Sequence, residues 1–149
     1  VAPFGQTTTV TRSGTGQLLT ITNPNSESYS FTYKSGTDLL ETFTQPGGHV
    51  STFSYDTSGR LTQDLASGGN KWDLTKTGTD SVGIVTQTSA MGRTTTYDIS
   101  KNVNDDYVRE MTSPDGVVST YSEAGYGGQI YQSNIENIYT SDVSDERFG

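Results

Sequence analysis

The chain has 149 residues, a length that predicts one domain, and hydrophobic residues make up only 30% of it. Its net charge of −8 argues against nucleic acid and against anionic membrane surfaces, because its 9 lysine and arginine residues are scattered along the chain. Cysteine is absent, which excludes disulfides and thiol chemistry, and no apolar run approaches the roughly 18 residues of a membrane-spanning helix.

The first half of the chain predicts short strands that alternate with turns. Tyr29, Phe31 and Tyr33 are separated by small polar residues, which is the period-2 pattern of a strand with one buried face. The segment Asn23-Pro24-Asn25 ends the preceding strand, since proline cannot donate to a ladder. We therefore expect strands over residues 7–11, 18–22, 29–33 and 39–43.

The stretch from Phe53 to Leu61 predicts a strand, a tight turn and the start of the next strand. Phe53 and Tyr55 alternate with small polar residues, as expected for a half-buried strand. Asp56 then begins a turn, because aspartate can accept a hydrogen bond from its own backbone, and Gly59 tolerates a positive φ.

The second half continues the same alternation with less regular residues. Trp72 and Leu74 share one predicted strand face, and further strands are expected over residues 82–85, 94–99, 107–111 and 117–121. Together these elements predict a strand array over residues 1–131. Residues 132–149 are expected to form a tail that caps the array or belongs to a further repeat.

One turn returns at a nearly constant spacing and indicates an internal repeat. The second residues of its five copies are 24, 46, 68, 90 and 114, which gives steps of 22, 22, 22 and 24. A two-residue lengthening between residues 98 and 106 accounts for the longer step. Aromatic residues keep the same register, apart from a lapse at Thr75: Phe31, Phe53, Tyr97 and Tyr121. The sequence therefore predicts an all-β, antiparallel array of about 22-residue repeats, with a thin aromatic core between sheet faces.

The central hairpin resembles the YD-repeat, or RHS-repeat, family. Its Tyr-Asp-x-x-Gly-Arg-Leu signature is matched in full by Tyr55, Asp56, Gly59, Arg60 and Leu61. The resemblance implies antiparallel strands in a long spiralling sheet. In large members that sheet forms a shell around a toxin polypeptide, and other members lie in cell-surface and adhesion proteins.

Other segments match that family less completely. Tyr97-Asp98 matches the first half of the signature, and the segment from Gly14 to Leu18 matches it loosely. Ser113-Pro114-Asp115-Gly116-Val117 is superficially similar to the self-cleavage motif of large members. It lacks the leading aspartate and the leucine of that motif, so we interpret it as a turn.

Catalytic and metal-binding constellations are not evident in the sequence. His49 is the single histidine and follows two glycines, so we interpret it as a solvated turn residue. Carboxylates gather around Asp105-Asp106 and Asp145-Glu146 without the ligand spacing of a calcium loop. We therefore expect no catalytic residue, no metal site and no cofactor.

Aromatic side chains are the remaining binding candidates, because flat rings suit the apolar faces of sugars. The candidates for a glycan site are Trp72, Tyr107, Tyr126 and Tyr131. Core packing is the competing interpretation for each of them, and the regular alternation favours it for most.

Taken together, these features predict a structural and interaction module of a secreted or surface, bacterial YD/RHS-repeat protein, without catalysis of its own. The partner would be another protein or the rest of a parent chain, and weak homodimerisation through unpaired edge strands is expected. A carbohydrate-binding adhesin module is the alternative. Neither nucleic-acid binding nor membrane insertion is expected.

Overall fold

A computed structural model describes residues 5–124, 127–132 and 137–139, and every element of three or more residues within these ranges is a β-strand. The thirteen strands are β1 (Thr9–Arg12), β2 (Leu18–Thr22), β3 (Ser28–Tyr33), β4 (Leu40–Thr44), β5 (Val50–Tyr55), β6 (Leu61–Ala66), β7 (Lys71–Gly78), β8 (Gly83–Ser89), β9 (Thr94–Lys101), β10 (Tyr107–Thr112), β11 (Val118–Ala124), β12 (Gly127–Gln132) and β13 (Asn137–Tyr139). The all-β prediction is confirmed. The predicted tail, residues 132–149, lies mostly outside the described residues.

The chain divides into two compact units, Val1–Trp72 and Asp73–Gly149. In the first unit, β1 to β6 pair antiparallel in chain order, and in the second unit β8 to β13 do the same. Within each unit these strands contact only their neighbours in the chain. Each of these two strand sets is therefore a single-layered meander.

The predicted thin core between sheet faces is wrong for the described residues, none of which is buried. The physical reason is the single layer, because nothing in a unit packs on top of the strands and large side chains keep part of their surface in water. Tyr29 is 38% exposed and Trp72 44%. The aromatic residues are half-covered by neighbours on the same sheet face instead.

The two faces of the first unit differ in chemistry. Directly paired residues of antiparallel strands lie on the same face, and Ile21 pairs with Tyr29 while Phe31 pairs with Phe43. The alternation of β3 and β5 places three further aromatic residues on that face. We call it the aromatic face, and its rings are Tyr29, Phe31, Tyr33, Phe43, Phe53 and Tyr55.

The opposite face of the first unit carries a row of threonine and serine residues, together with Val50 and Leu65. The hydroxyls join neighbouring strands, with oxygen–oxygen distances of 2.6 Å for Thr11–Thr20 and 2.7 Å for Thr32–Thr42. Thr42 also pairs with Thr52, which continues the row across β5. Because β-branched residues suit an exposed strand and their hydroxyls find partners across it, this face is stable in water without a cover.

Eight turns share one hydrogen-bond pattern. In each, the first residue donates its N–H to the carbonyl four residues on and accepts from the N–H three residues on. The fourth residue always has a positive φ, as in three-residue hairpin loops. These turns begin at Ser13, Asn23, Gln45, Asp56, Ala66, Ser89, Asn102 and Ser113. The sequence patterns predict two different turn classes, the signature turn at Asp56 and the turn that returns every 22 to 24 residues. In the structure both classes have the same geometry.

The first residue of several turns also closes the loop with its side chain. Asp56 Oδ1 accepts from the N–H groups of Ser58 and Arg60, at 2.8 and 2.9 Å. Asn23 and Asn102 accept the two equivalent bonds through Oδ1. The aspartate of the Tyr-Asp signature is therefore a turn cap, and asparagine serves equally well in other copies.

Asp56 should make stability depend on acidity. The backbone hydrogen bond from Arg60 holds the pKa of this carboxyl below its usual range. A lowered pKa in the folded state adds stability above the unfolded pKa, near about 4, and this stability is lost as the pH falls through the folded pKa. Asp56→Asn keeps both acceptor bonds but cannot titrate. We expect the difference in melting temperature between wild type and Asp56→Asn to shrink between pH 7 and pH 3, and a constant difference would contradict the cap.

Two turns offer a matched test of the positive-φ position. Gly59 has φ 78° and Ser26 has φ 65° at the same place in the loop. Side chains are disfavoured there by about 1–2 kcal/mol, while glycine costs about 0.5–1 kcal/mol in chain entropy. In urea titrations we expect Gly59→Ala to destabilise by about 1 kcal/mol and Ser26→Gly to be neutral or stabilising. Destabilisation by both would show that the turns are not equivalent.

Candidate functional site

The five signature residues come together at the β5–β6 hairpin. Tyr55 ends β5, Asp56 caps the turn, and Leu61 begins β6. Arg60 lies 3.8 Å from the Asp56 carboxylate, but both side chains are well exposed, so the pair contributes little by itself. The hairpin has the geometry of a structural element, and its polar groups are used in closing the turn.

A β-bulge lies beside each of the β1–β2, β3–β4 and β5–β6 turns. The register shifts where Arg12 meets Leu18, where Tyr33 meets Leu40 and where Tyr55 meets Leu61. A bulge places two residues opposite one and disrupts the ladder locally. Carbonyl groups at these places need partners other than the regular ladder.

Tyrosine hydroxyls of the following repeat supply such partners. Tyr33 Oη donates to the carbonyl of Leu18 at 3.0 Å, and Tyr55 Oη donates to the carbonyl of Leu40 at 2.8 Å. Each bond spans 15 residues and joins one hairpin to the next beyond the end of their ladder. The signature tyrosine therefore ties consecutive repeats together.

Sequence reasoning missed this role of tyrosine. The signal was present, because Tyr33 and Tyr55 are 22 residues apart and each follows a bulge leucine by 15 residues. Tyr33 performs the role although Lys34, not aspartate, follows it.

The match of Tyr97-Asp98 to the signature does not correspond to a turn. Both residues lie inside β9, where Tyr97 pairs with Val85 on one side and with Met111 on the other. The turn that follows this strand begins at Asn102, which is capped like Asp56. The two-residue lengthening between residues 98 and 106 places the turn beyond Tyr97-Asp98, and both residues stay inside the strand.

Ring contacts reinforce the aromatic face of the first unit. The ring of Phe43 lies 5.3 Å from that of Phe31 and 5.9 Å from that of Tyr29, measured between centroids. Pairs of this kind contribute about 0.5–1.5 kcal/mol beyond area burial. The three rings form a continuous apolar strip that is half-exposed to water.

The proposed glycan residues belong to different units and strands of the chain. Trp72 lies on β7 and is 44% exposed, whereas Tyr107 belongs to the second unit. Tyr107 is flanked by two cations, with Lys101 Nζ 5.0 Å and the Arg109 guanidinium 6.0 Å from its ring centroid. Tyr131 lies in β12 with a side chain outside the described part, and Tyr126 lies outside the described residues altogether.

The histidine and the segment similar to a self-cleavage motif both lie in turns. His49 closes the β4–β5 turn, where its carbonyl accepts from Gln45 N–H at 2.8 Å. Ser113 begins a turn of the shared type, which confirms that interpretation of the segment up to Val117. Among the residues that the structure describes, no three His, Cys, Asp or Glu side chains are grouped so that they could hold a metal ion. The same part of the chain contains no helix that is long and apolar enough to cross a membrane.

Tyr55 provides a direct test of the bond between repeats. Tyr55→Phe removes the hydroxyl and leaves the Leu40 carbonyl without it, so we expect a loss of about 0.5–1.5 kcal/mol in the free energy of unfolding. Tyr33→Phe should cost a similar amount. Tyr55→Ala should cost about 2 kcal/mol, less than a fully buried aromatic, because Tyr55 is half-exposed.

Thr52→Ala is the control for these variants, since Thr52 lies in the same strand but on the opposite, exposed face. It should change stability by less than about 0.5 kcal/mol. Equal costs for Tyr55→Phe and Thr52→Ala in a denaturant titration would show that the tyrosine bond contributes nothing.

The comparisons with known proteins agree with this architecture. No curated protein matches the chain at a significant level. A family match described as Teneurin YD-shell covers residues 4–142, which is nearly the whole chain. The strand repeats, the capped turns and the tyrosine bonds all lie within that stretch. The chain therefore belongs to the teneurin YD-shell family, a YD-repeat family.

Proposed function

We propose that the chain is a structural repeat module of a larger secreted or cell-surface YD-shell protein and carries out no catalysis of its own. The observation that supports this proposal is the aromatic face of the first unit, which is rich in large rings yet has no layer packed on it within that unit. A sheet with one apolar face is stable when that face is buried against another element.

The two faces of the first unit suit the wall of a larger assembly. The threonine face has its hydroxyls paired across strands and is compatible with water. The aromatic face would be covered by the rest of a parent chain or by a protein partner with an apolar surface. The scattered charges and the net charge of −8 fit a wall better than a nucleic-acid surface. The alternative, a carbohydrate-binding module that uses Trp72, Tyr107, Tyr126 and Tyr131, stays a prediction.

The aromatic face can be tested with a dye for exposed apolar surface. We expect the isolated chain to bind 1-anilinonaphthalene-8-sulfonate, and we expect Phe43→Thr to lower the fluorescence, because Phe43 contacts two other rings of the strip. Thr42→Ala lies on the opposite face and should leave the signal unchanged. Circular dichroism of each variant checks that the β structure persists.

A longer stretch of the parent open reading frame completes the test. In that longer protein the dye signal per molecule should fall, since added segments would cover the aromatic face. If the isolated chain binds no dye, or if the longer protein binds as much per molecule, the aromatic face is not the surface that an assembly buries.

A further inference from the structure

The aromatic face of the first unit carries opposite charges at its two margins. Val10 pairs with Ile21 on this face, so Arg12, two residues further along β1, lies on the same face. Asp64 of β6 pairs directly with Phe53 and therefore lies on this face too. The cation thus stands on β1 and the carboxylate on β6, with the rings on the strands between them.

The middle of the aromatic face is apolar and only half-covered. Phe31 and Phe43 lie on β3 and β4, the two central strands, and their ring centroids are 5.3 Å apart. Beside them, Tyr29 is 38% exposed. Within the first unit no described strand packs on this face, because each strand contacts only its neighbours in the chain. An apolar centre of this kind gains stability when a second layer covers it.

A two-fold axis parallel to the strands makes this face complementary to itself. Such an axis between β3 and β4 lays β1 of one copy over β6 of the other, and the central strands over each other. Arg12 of each copy then lies at the same margin as Asp64 of the partner subunit, and the contact occurs twice. Along the strands the two residues differ by one side-chain repeat, about 6.8 Å, which the long arginine side chain spans.

The size of the face sets the strength of such a contact. Strands β1 to β6 lie about 4.8 Å apart, and about five residues in each, at about 3.4 Å per residue, give an area of about 500 Å² per copy. The total of about 1,000 Å² lies below the usual 1,200–2,000 Å² or so of stable interfaces and in the range of weak contacts. Two copies packed in this way would form a sandwich that dissociates readily on dilution.

We propose that two copies of this chain associate through their aromatic faces, with Arg12 of each beside Asp64 of the other. This association rests on the proposed function, in which the aromatic face is a buried contact, and it makes a second copy of the chain the cover. The rings supply the apolar area, whereas the charge pairs at the margins fix the orientation of the two sheets. The contact differs from the pairing of edge strands that the sequence predicts, and an exchange of charges separates the two.

The test is sedimentation velocity of the full chain over a dilution series. Wild type should change reversibly from monomer to dimer as its concentration rises. Arg12→Asp and Asp64→Arg should each weaken self-association about tenfold or more, because each creates two like-charge contacts per dimer. An equimolar mixture of the two variants should recover the wild-type affinity, since position 12 of one then meets the opposite charge at position 64 of the other. Both substitutions in one chain should recover it as well.

Arg93→Asp is the matched control, because it changes the net charge as Arg12→Asp does, and Arg93 is exposed in a turn of the second unit. It should associate as wild type does, and circular dichroism of each variant should show intact β structure. A mixture that associates as weakly as its components would overturn the proposal, since paired edge strands need no contact between positions 12 and 64.

The dye for exposed apolar surface separates this proposal from the structural function. A chain that binds the dye yet stays monomeric at every concentration would overturn the self-association, while the structural function would stand. A chain that neither binds the dye nor associates would overturn both.

Discussion

The backbone ladder between neighbouring strands is the constraint on which this structure depends. No described residue is buried, so no hydrophobic core of the usual kind holds the strands together. Stability must come from ladder hydrogen bonds, from cross-strand pairs such as Phe31–Phe43 and Thr32–Thr42, and from turns that close in the right register. Register matters doubly here, because a slip of one residue would move every ring from the aromatic face to the threonine face.

The tyrosine hydroxyls extend that local scheme from one hairpin to the next. A strand in a single layer has contacts only to its neighbours, so repeats are coupled through whatever joins adjacent hairpins. Tyr33 and Tyr55 supply such a bond at the bulge, where the ladder itself is interrupted. The tyrosine that precedes the turn therefore links two repeats by a hydrogen bond. The capping residue at the start of the turn stabilises the hairpin within one repeat.

The sequence predicted the strands and turns well because period-2 alternation and turn chemistry are local properties. The turn at Asp56, the turn at Ser113 and the strand ending in Tyr33 all lie where the pattern placed them. Burial could not be predicted in this way, since alternation shows which residues share a face but not whether a second layer covers it. The turn between Lys34 and Leu39, which is one residue longer than the eight shared turns, and the 15-residue tyrosine bonds were also missed, because they depend on how neighbouring hairpins approach each other.

The repeat that lacks an aromatic residue in register, at Thr75, lies at the division between the two units. Thr75 stands in β7 where other repeats carry Phe31 or Phe53, and the division between the two units falls in the same strand, after Trp72. In the second unit, cations stand beside the rings, with Arg109 between Tyr107 and Tyr121. An arginine over a ring keeps its charge in water while its stem covers the apolar surface. The first unit thus has an aromatic face that an outside layer would have to cover. In the second unit, Tyr107 and Tyr121 lie beside cations of the same unit, whereas Tyr97 is 41% exposed.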